Sequence, residues 1–239
     1  MTPLPKLDPY RNKFLAALPD EVFKNLLPNL HLVSGKLGHT LFGSGDTVQD
    51  LYFPLDSCVS IVTNSKNGRG VEVALIGSEG LVGLWAALGA AANWHEAVVQ
   101  LPGDLLKIKA EVFRAEMKRS DGLLEQLLRY TRYLLVQISQ TAACNRLHRL
   151  EQRLARWLLM SHDHAKADEF CETHEFLSHM LGSDRSEVTV AAGILRKAGL
   201  ISYRRGKVKI LDLKGLEETS CECYRIVTNE LDRLHEKKN

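Results

Sequence analysis

The sequence predicts an α+β protein with three successive parts: an antiparallel β-roll of the jelly-roll type, one long helix, and a small domain of short helices that ends in a β-hairpin. Short apolar runs between turn residues predict the roll. Apolar residues at heptad spacing predict the long helix. Two short amphipathic helices, followed at once by a glycine-centred hairpin, predict the last part.

The roll is expected between Leu41 and Lys109. The runs LYFPL, CVSIVT and GVEVALI are apolar or β-branched, and FGSGD, DS and NSKNGRG separate them as turns. AVVQLPGDLLKI adds two strands across a Pro-Gly turn, while PDEVFKNLL predicts a short helix before the roll. This spacing of short strands favours an antiparallel roll or barrel.

The long helix is expected from about Arg119 to Asn145. It carries an apolar seam with the 3-4 spacing of a coiled coil, which we assign to dimerisation: Leu124, Leu127, Thr131, Leu134, Ile138 and Thr141. Leu128, Leu135 and Ala142 lie beside this seam and give the helix a second apolar face. Two faces need two partners, for which we expect the β-roll and a second copy of the chain. A core helix within one chain is the alternative.

Residues 173–197 predict a helix-turn-helix, preceded by a polar loop at residues 162–170. Asp184 followed by Glu187 signals the start of its second helix, Gly199 signals the end, and Gly182 allows the tight turn before it. One arc of this helix is apolar: Val188, Ala191, Ala192 and Leu195. The opposite arc is small or basic: Arg185, Ser186, Thr189, Gly193, Arg196 and Lys197. Residues 176–181 supply an apolar partner for the first arc.

The second helix of such a motif enters the major groove of DNA with its first residues at the base edges. Arg185 has the geometry for a bidentate contact with guanine, and Ser186 and Thr189 can bond bases or phosphate. Gly193 costs about 1 kcal/mol of helix propensity, which either close approach to DNA or tight packing against a neighbouring element would explain. An amphipathic surface helix with solvated charges is the alternative interpretation.

A basic hairpin at residues 201–211 follows and is predicted to be a wing. Ile201, Tyr203, Val208 and Ile210 are expected to pack inward. Arg204, Arg205 and Lys207 surround Gly206 and are expected to contact phosphates, which fixes register without reading sequence. Residues 146–215 carry 13 Lys/Arg against 9 Asp/Glu, although the whole chain has a net charge of only +2. This local excess of positive charge favours a polyanionic partner. The predicted DNA contacts are Arg185, Ser186, Thr189, Arg196, Lys197, Arg204, Arg205 and Lys207.

Composition excludes several classes of protein. Hydrophobic residues make up 45% and charged residues 25% of the 239, as in an ordinary globular chain. No run is long enough to span a membrane, and the first residues lack the pattern of a signal peptide. The five scattered cysteines favour reduced thiols over disulfides. We therefore expect a cytoplasmic protein with no membrane partner.

The order β-roll, long helix, winged helix-turn-helix resembles the Crp/Fnr family of bacterial transcription regulators over nearly the whole chain. LYFPLDSCVSIVT, VEVALIGSEGLVGL and FLSHMLGSDRSEVTVAAGILRKAGLISYRRGKVKILD carry the resemblance. It implies a cyclic-nucleotide-binding-like sensor domain at 1–118, a dimerisation helix at 119–145 and a winged helix-turn-helix domain at 146–239. It also implies double-stranded DNA with a pseudo-palindromic operator, a second copy of the chain and RNA polymerase as partners.

The part that would bind a cyclic nucleotide departs from the family pattern. Family members that bind one carry Gly-Glu followed by an apolar residue, and later an Arg-Ser/Thr-Ala sequence. Here Leu84 follows Gly83, and residues 95–97 read His-Glu-Ala. An acidic side chain repels phosphate, and a mostly neutral histidine does not replace the arginine fork, so we do not expect cyclic AMP to bind in the usual manner. A remaining effector pocket would be apolar and would involve Leu81, Leu84, Trp85, Trp94 and Ala97. A filled core without a ligand is the favoured interpretation, and the effector is not identified.

No metal site and no cofactor are predicted. No cysteine precedes Cys58, so the N-terminal cysteine cluster of Fnr-type iron–sulfur regulators is absent. His162, His164, Cys171 and His174 match no common zinc spacing. Cys221 and Cys223 are expected to be two buried thiols. Nothing supports a haem ligand among the histidines at 31, 39 and 95.

The sequence thus predicts a homodimeric, sequence-specific DNA-binding transcription regulator whose β-roll senses an unidentified effector. The alternative is a ligand-binding module that acts on a protein partner, and the basic wing together with Arg185 favours DNA over it. An enzyme is not expected, since the chain has no nucleophile elbow, phosphate loop or metal-ligand spacing.

Overall fold

The computed structural model describes residues 8–90, 92–165, 167–204 and 206–236. The chain divides into two units, and each is built from two segments. The first unit takes Met1–Ile61 and Ile76–Arg132, and the second takes Val62–Leu75 and Tyr133–Asn239. The division therefore passes through one β-hairpin of the roll and through the long helix.

The roll is made of seven strands in two sheets. The strands are β1 (His31–Gly35), β2 (Thr40–Phe42), β3 (Asp50–Pro54), β4 (Cys58–Asn64), β5 (Gly70–Ile76), β6 (Glu96–Leu101) and β7 (Gly103–Lys109). One sheet has the order β1-β7-β3 and the other β2-β6-β4-β5. The pairs β1–β7, β3–β7 and β2–β6 are antiparallel, with Phe53 opposite Leu106 in the first sheet. The predicted antiparallel roll is confirmed.

Short helices flank the roll: α1 (Lys13–Ala16), α2 (Asp20–Leu26), α3 (Leu84–Ala87) and α4 (Ala110–Met117). An aromatic group forms the centre of this unit. Phe14 contacts Phe53, Phe113 and Tyr130 with ring centroids 5.8–6.4 Å apart. The Tyr130 hydroxyl, although fully buried, donates a hydrogen bond to the Leu81 carbonyl at 3.0 Å. The backbone at Leu81 is thus fixed from inside the core.

Helix α5 runs from Asp121 to Leu147, close to the predicted 119–145. Its 27 residues span about 40 Å at the rise of an α-helix. No glycine or proline interrupts it after Gly122. Across the described residues, no helix is both long and apolar enough to cross a lipid bilayer.

The remaining chain forms helices around a three-stranded sheet. The elements are α6 (Leu150–Ala165), β8 (Glu169–Cys171), α7 (His174–Leu181), α8 (Arg185–Lys197), β9 (Ile201–Arg204), β10 (Lys207–Ile210), α9 (Leu213–Thr219) and α10 (Cys223–His235). Its core joins α6, α7 and α8 to the sheet through Leu158, Leu177, Leu195 and Val208.

One sequence-based expectation is wrong here. The predicted polar loop at residues 162–170 is not a loop throughout, because α6 continues to Ala165 with no glycine or proline to stop it. Glu169–Cys171 then pairs antiparallel with β10, with Phe170 opposite Val208. Both of these side chains are buried, so packing of Phe170 gives a polar segment its strand.

Candidate nucleic-acid interface

The turn between α7 and α8 has the geometry of a helix-turn-helix. Thr173 caps α7 by accepting a hydrogen bond from the Phe176 backbone N–H at 3.1 Å. Gly182 then takes a left-handed conformation with φ of 58°, which glycine adopts without steric cost. The Asp184 backbone N–H donates to the Glu187 carboxylate at 3.0 Å, so the predicted capping box at the start of α8 is present.

Helix α8 packs on one side only. Its apolar arc is buried as predicted and belongs to the core of the unit: Val188, Ala191, Ala192 and Leu195. The predicted outer residues Arg185, Ser186, Thr189, Arg196 and Lys197 are all exposed. The apolar arc therefore holds the helix on the domain and leaves the other side open to solvent.

The outermost line of α8 also includes a residue that sequence reasoning missed. Val190 lies between Ser186 and Gly193 at helical spacing, and 64% of its surface is exposed. An apolar side chain here can contact a thymine methyl group. A Cβ atom added to Gly193 would meet nothing within 4 Å. Among the described residues, close packing therefore does not account for this glycine.

The first turn of α8 supplies the candidate base-reading groups. The Arg185 guanidinium is exposed and lies 3.9 Å from the equally exposed Glu175 carboxylate, an ion pair of little strength in water. The Thr189 hydroxyl donates to the Arg185 carbonyl at 2.9 Å and lies 2.9 Å from His174 Nδ1. The hydroxyl is thus already bonded within the protein, and the Thr189 methyl is the part left for DNA.

The wing follows as predicted, with Gly206 at φ of 77° where β9 turns into β10. Arg204 is exposed, while the Lys207 ammonium forms an ion pair with the Glu169 carboxylate at 2.9 Å. Strand β8, which the sequence analysis did not foresee, brings this carboxylate to the wing. Arg205 lies outside the described residues. Arg196 and Lys197 are near the far end of α8, about 17 Å from Arg185.

The long helix does not present the predicted seam to solvent. Leu127 and Leu134 are buried within the single chain, so they are not available to a second copy. The Thr141 hydroxyl accepts a hydrogen bond from Arg156 at 2.9 Å, while Thr131 and Ile138 are half-buried.

The exposed apolar side chains of the long helix are instead Leu124, Leu128 (56% exposed) and Leu135 (54%). The assignment of Leu127 and Leu134 to dimerisation is corrected accordingly, because the heptad pattern alone did not say which of two adjacent stripes faces the core.

The residues proposed to line an effector pocket belong to the interior of the roll. Leu81, Leu84 and Ala97 are buried, and half-buried Trp85 stacks on His95 with ring centroids 5.6 Å apart. Trp94, by contrast, is 74% exposed. Burial lowers the pKa of His95, which keeps the imidazole neutral at pH 7. The position that would neutralise a phosphate therefore carries no positive charge.

The histidines considered as metal ligands have other partners. His162 Nε2 lies 3.1 Å from the Asp168 carboxylate, and His174 bonds Thr189. The described part of the chain brings together a different set of metal-binding side chains, which includes Cys221 and Cys223.

Comparisons with known proteins agree with this architecture. The sequence model for the cyclic nucleotide-binding domain matches residues 33–120, and that for the Crp-like helix-turn-helix domain matches residues 152–219. The chain belongs to the Crp/Fnr family. The family and the fold class predicted from the sequence are thereby confirmed.

Among curated proteins, the transcriptional regulator SdrP of Thermus thermophilus is 37% identical over 76 residues. That match covers 29% of this chain and 38% of the relative, so the chain matches well under half of the curated protein's length. A solved CRP/FNR-family transcriptional regulator, also from Thermus thermophilus, has a TM-score of 0.68 at 24% identity, covering 80% of this chain and 98% of the other. FixK2 from Bradyrhizobium japonicum has a TM-score of 0.69 at 14% identity over 80% and 98% of the two chains. These structures share the fold.

Proposed function

We propose that this protein is a homodimeric, sequence-specific DNA-binding transcription regulator that acts in the cytoplasm and is not an enzyme. The observation that carries the proposal is the one-sided packing of α8. Its apolar arc is fixed in the core, while Ser186, Val190, Gly193 and Lys197 form an unobstructed outer line. A helix held this way can enter a major groove.

The residues of α8 and the wing are proposed to have different roles. Arg185, at the first turn of α8, reads a guanine through two hydrogen bonds after leaving the weak pair with Glu175. Ser186 and Val190 contact neighbouring base edges. Arg204 and Lys207 contact phosphates from the wing, Lys207 after exchanging the Glu169 carboxylate for a phosphate oxygen.

We include a homodimer in this proposal because a two-fold protein reads an inverted repeat. The exposed apolar stripe of α5 runs through Leu124, Leu128 and Leu135, and Thr131, Ile138 and Ala142 continue the same 4-3-4-3-4 spacing. This is the spacing of a coiled-coil seam. We therefore keep Leu124, Thr131 and Ile138 in the proposed dimer contact. Leu128, Leu135 and Ala142 replace Leu127, Leu134 and Thr141 in it. RNA polymerase remains an expected partner of the DNA-bound dimer.

The β-roll is proposed to act without cyclic AMP bound in the usual manner. Buried Leu84 replaces the expected glutamate, and neutral His95 with Glu96 replaces the arginine segment. The buried state of Leu81 and Ala97 favours a filled core at this position. The effector of the roll is left unassigned.

Selection of bound sequences from a random pool of duplex DNA tests the function. We expect full-length protein to enrich an inverted repeat that contains a guanine in each half-site, because two copies of α8 would read it. Enrichment of no sequence would contradict sequence-specific binding and would favour a protein partner for the exposed face of α8.

The dimer surface has its own test. The double substitution Leu128→Glu and Leu135→Glu places charges on the exposed stripe and is expected to give monomers in sedimentation velocity with the fold unchanged by circular dichroism. Leu127→Ala is the matched contrast, because it removes a buried side chain and should lower stability by roughly 2–5 kcal/mol while dimers persist. A dimer that survives both glutamates would place the interface elsewhere.

A further inference from the structure

Three thiols and one imidazole meet at the end of the long helix. The Sγ atoms of Cys144, Cys221 and Cys223 and a ring nitrogen of His148 all lie within 4.8 Å of one another. The three cysteines are buried, and the His148 side chain is only 14% exposed. The sequence predicts two buried thiols at 221 and 223 but gives no sign of their contact with Cys144, because Cys144 and Cys221 are 77 residues apart in the chain.

Local structure places the four residues in two pairs, Cys144 with His148 and Cys221 with Cys223. His148 directly follows α5, and its backbone N–H donates to the Cys144 carbonyl at 3.2 Å, which continues the helical turn and places the two side chains on one side. Cys221 and Cys223 flank the start of α10, where the Tyr224 N–H donates to the Cys221 carbonyl at 3.2 Å.

The spacing of the four atoms suits a tetrahedral metal ion. Zinc–sulfur bonds of about 2.3 Å and zinc–nitrogen bonds of about 2.0 Å in a tetrahedron place the ligand atoms roughly 3.5–3.8 Å apart. Here Cys144 Sγ lies 3.4 Å from Cys221 Sγ, and Cys223 Sγ lies 3.7 Å from His148 Nδ1. The sulfur–sulfur distance is well beyond the disulfide bond length of about 2.05 Å.

The groups around the cluster would orient its histidine and balance the charge of a bound metal ion. His148 Nε2 lies 3.3 Å from the Glu222 carboxylate, which can accept a hydrogen bond from Nε2–H. This tautomer leaves the lone pair on Nδ1, the nitrogen nearer to Cys223 Sγ. A carboxylate behind a metal-binding histidine is the usual outer partner of a zinc ligand. Zinc with three thiolates and a neutral imidazole carries one negative charge. Buried Arg156, which lies beside Cys144 and has no carboxylate partner among the described residues, would balance that charge.

We propose that Cys144, His148, Cys221 and Cys223 form a tetrahedral Zn²⁺ site that fastens the start of α10 to the end of α5. Soft thiolate ligands select zinc over magnesium or calcium. Binding displaces a proton from each coordinating thiol, so three thiolates and one neutral imidazole surround the ion. The site stands on this geometry alone and does not depend on the proposed DNA-binding function.

One consequence does rest on the proposed function. Helix α10 packs against α6, and α6 packs against the recognition helix α8. Zinc at the start of α10 would therefore hold the end of the dimerisation helix against the helices that support α8. Loss of the ion is expected to weaken specific DNA binding, because the end of α5 would no longer be held against the helices that support α8.

The direct test measures metal in full-length protein purified without chelator. We expect about one zinc per chain by elemental analysis. After removal of zinc, titration with Co²⁺ should produce the intense thiolate-to-cobalt bands of a tetrahedral sulfur-rich site, and Zn²⁺ should displace them. Binding is also expected to raise the melting temperature, because the ion binds the folded state.

Substitutions assign the ligands. Cys144→Ser and Cys223→Ser should each lower the cobalt charge-transfer intensity and weaken Co²⁺ binding at least tenfold, whereas Cys58→Ser in strand β4 should change neither. Glu222→Gln removes the outer carboxylate of His148 and is expected to weaken binding about tenfold while the thiolate bands persist. Because Cys→Ser variants can fail to fold, the titration of the unmodified protein decides the proposal by itself.

Folded wild-type protein that retains no zinc and gives no thiolate bands with Co²⁺ would overturn the site. So would a Cys144–Cys221 disulfide in freshly purified protein, or equal loss of binding in the Cys58 variant. Arg185→Ala separates the two claims, since it should impair DNA recognition with zinc content unchanged. A normal zinc content in a protein that does not bind DNA would refute only the proposed function.

Discussion

Helix α8 exposes its characteristic residues to solvent, whereas the roll buries Leu81, Leu84 and Ala97 in its own interior. In α8 the chain buries only the apolar arc and leaves Arg185, Ser186 and Val190 in solvent. In the roll, buried Leu84 stands where family members that bind a cyclic nucleotide carry a glutamate, and Ala97 is also buried. The outer face of α8 is thus open to solvent, whereas Leu84 and Ala97 lie in the interior of the roll.

This difference has an energetic meaning. Exposed polar residues on α8 contribute little to stability, so substituting them should leave the free energy of unfolding nearly unchanged. Buried leucines in the roll contribute to stability through their own burial and need no ligand. Substitutions at the two regions should therefore separate into effects on binding and effects on folding.

The largest effect is expected from Leu84→Ala. Loss of this buried side chain should lower the free energy of unfolding by about 2–5 kcal/mol in urea denaturation. Trp94→Ala is the control, because a side chain that is 74% exposed should cost little. A small loss at Leu84, together with stabilisation of the wild type by cyclic AMP, would show a ligand pocket instead of a filled core.

The next largest effect is expected in the pH dependence of stability, from the buried carboxyl group of Glu172. Burial, with a further contribution from Glu72, raises the pKa of Glu172 to about 8. The unfolded chain ionises this group near its ordinary pKa of about 4.3, so stability is full below that value and is lost as the pH rises toward 8. We expect a loss of about 1.4 kcal/mol from pH 6 to pH 7 that Glu172→Gln abolishes.

Glu169→Gln provides the comparison for this titration, because Glu169 is exposed and pairs with Lys207 instead of being buried. The variant should keep the wild-type pH dependence between pH 6 and 7. Identical slopes for the wild type and the Glu172 variant would show that this carboxyl does not titrate as a buried acid.

The smallest effect sharpens the assignment of the outer face of α8. Gly193→Ala meets no atom within 4 Å and should raise stability by about 1 kcal/mol through helix propensity. The same methyl group should weaken DNA binding several-fold if the helix approaches the duplex closely. Gly199→Ala is the matched contrast, because its φ of 76° makes alanine destabilising. Unchanged DNA affinity in the Gly193 variant would remove this position from the interface.

Much of this organisation could be predicted from the sequence, because it depends on local signals. Asp184, Glu187 and Gly199 mark the ends of α8, and its 3.6-residue pattern identifies the buried arc. The exposed side of α5 was predicted wrongly, since Leu127 and Leu128 are equally apolar and only the folded chain shows which one is buried. Strand β8 was missed because pairing with β10 outweighs its polar sequence.

The cysteine cluster also could not be predicted from the sequence, because its residues are far apart along the chain. Cys144 and His148 are four residues apart at the end of α5, a spacing at which two metal ligands can lie side by side. Nothing in the sequence, however, places Cys221 and Cys223 next to them. Tertiary packing alone brings the two halves together. The outward position of Val190 is another case, because its apolar side chain gave no signal of exposure.

The central claim is that the open face of α8 reads DNA sequence, and Arg185→Ala tests it most directly. The measurement is the ratio of affinities for the selected inverted repeat and for random duplex DNA at fixed salt. We expect this ratio to fall about tenfold or more with the dimer intact, because a bidentate guanine contact discriminates by about 1–3 kcal/mol. A ratio equal to that of the wild type would contradict the role of Arg185 and the orientation of α8 proposed for this protein.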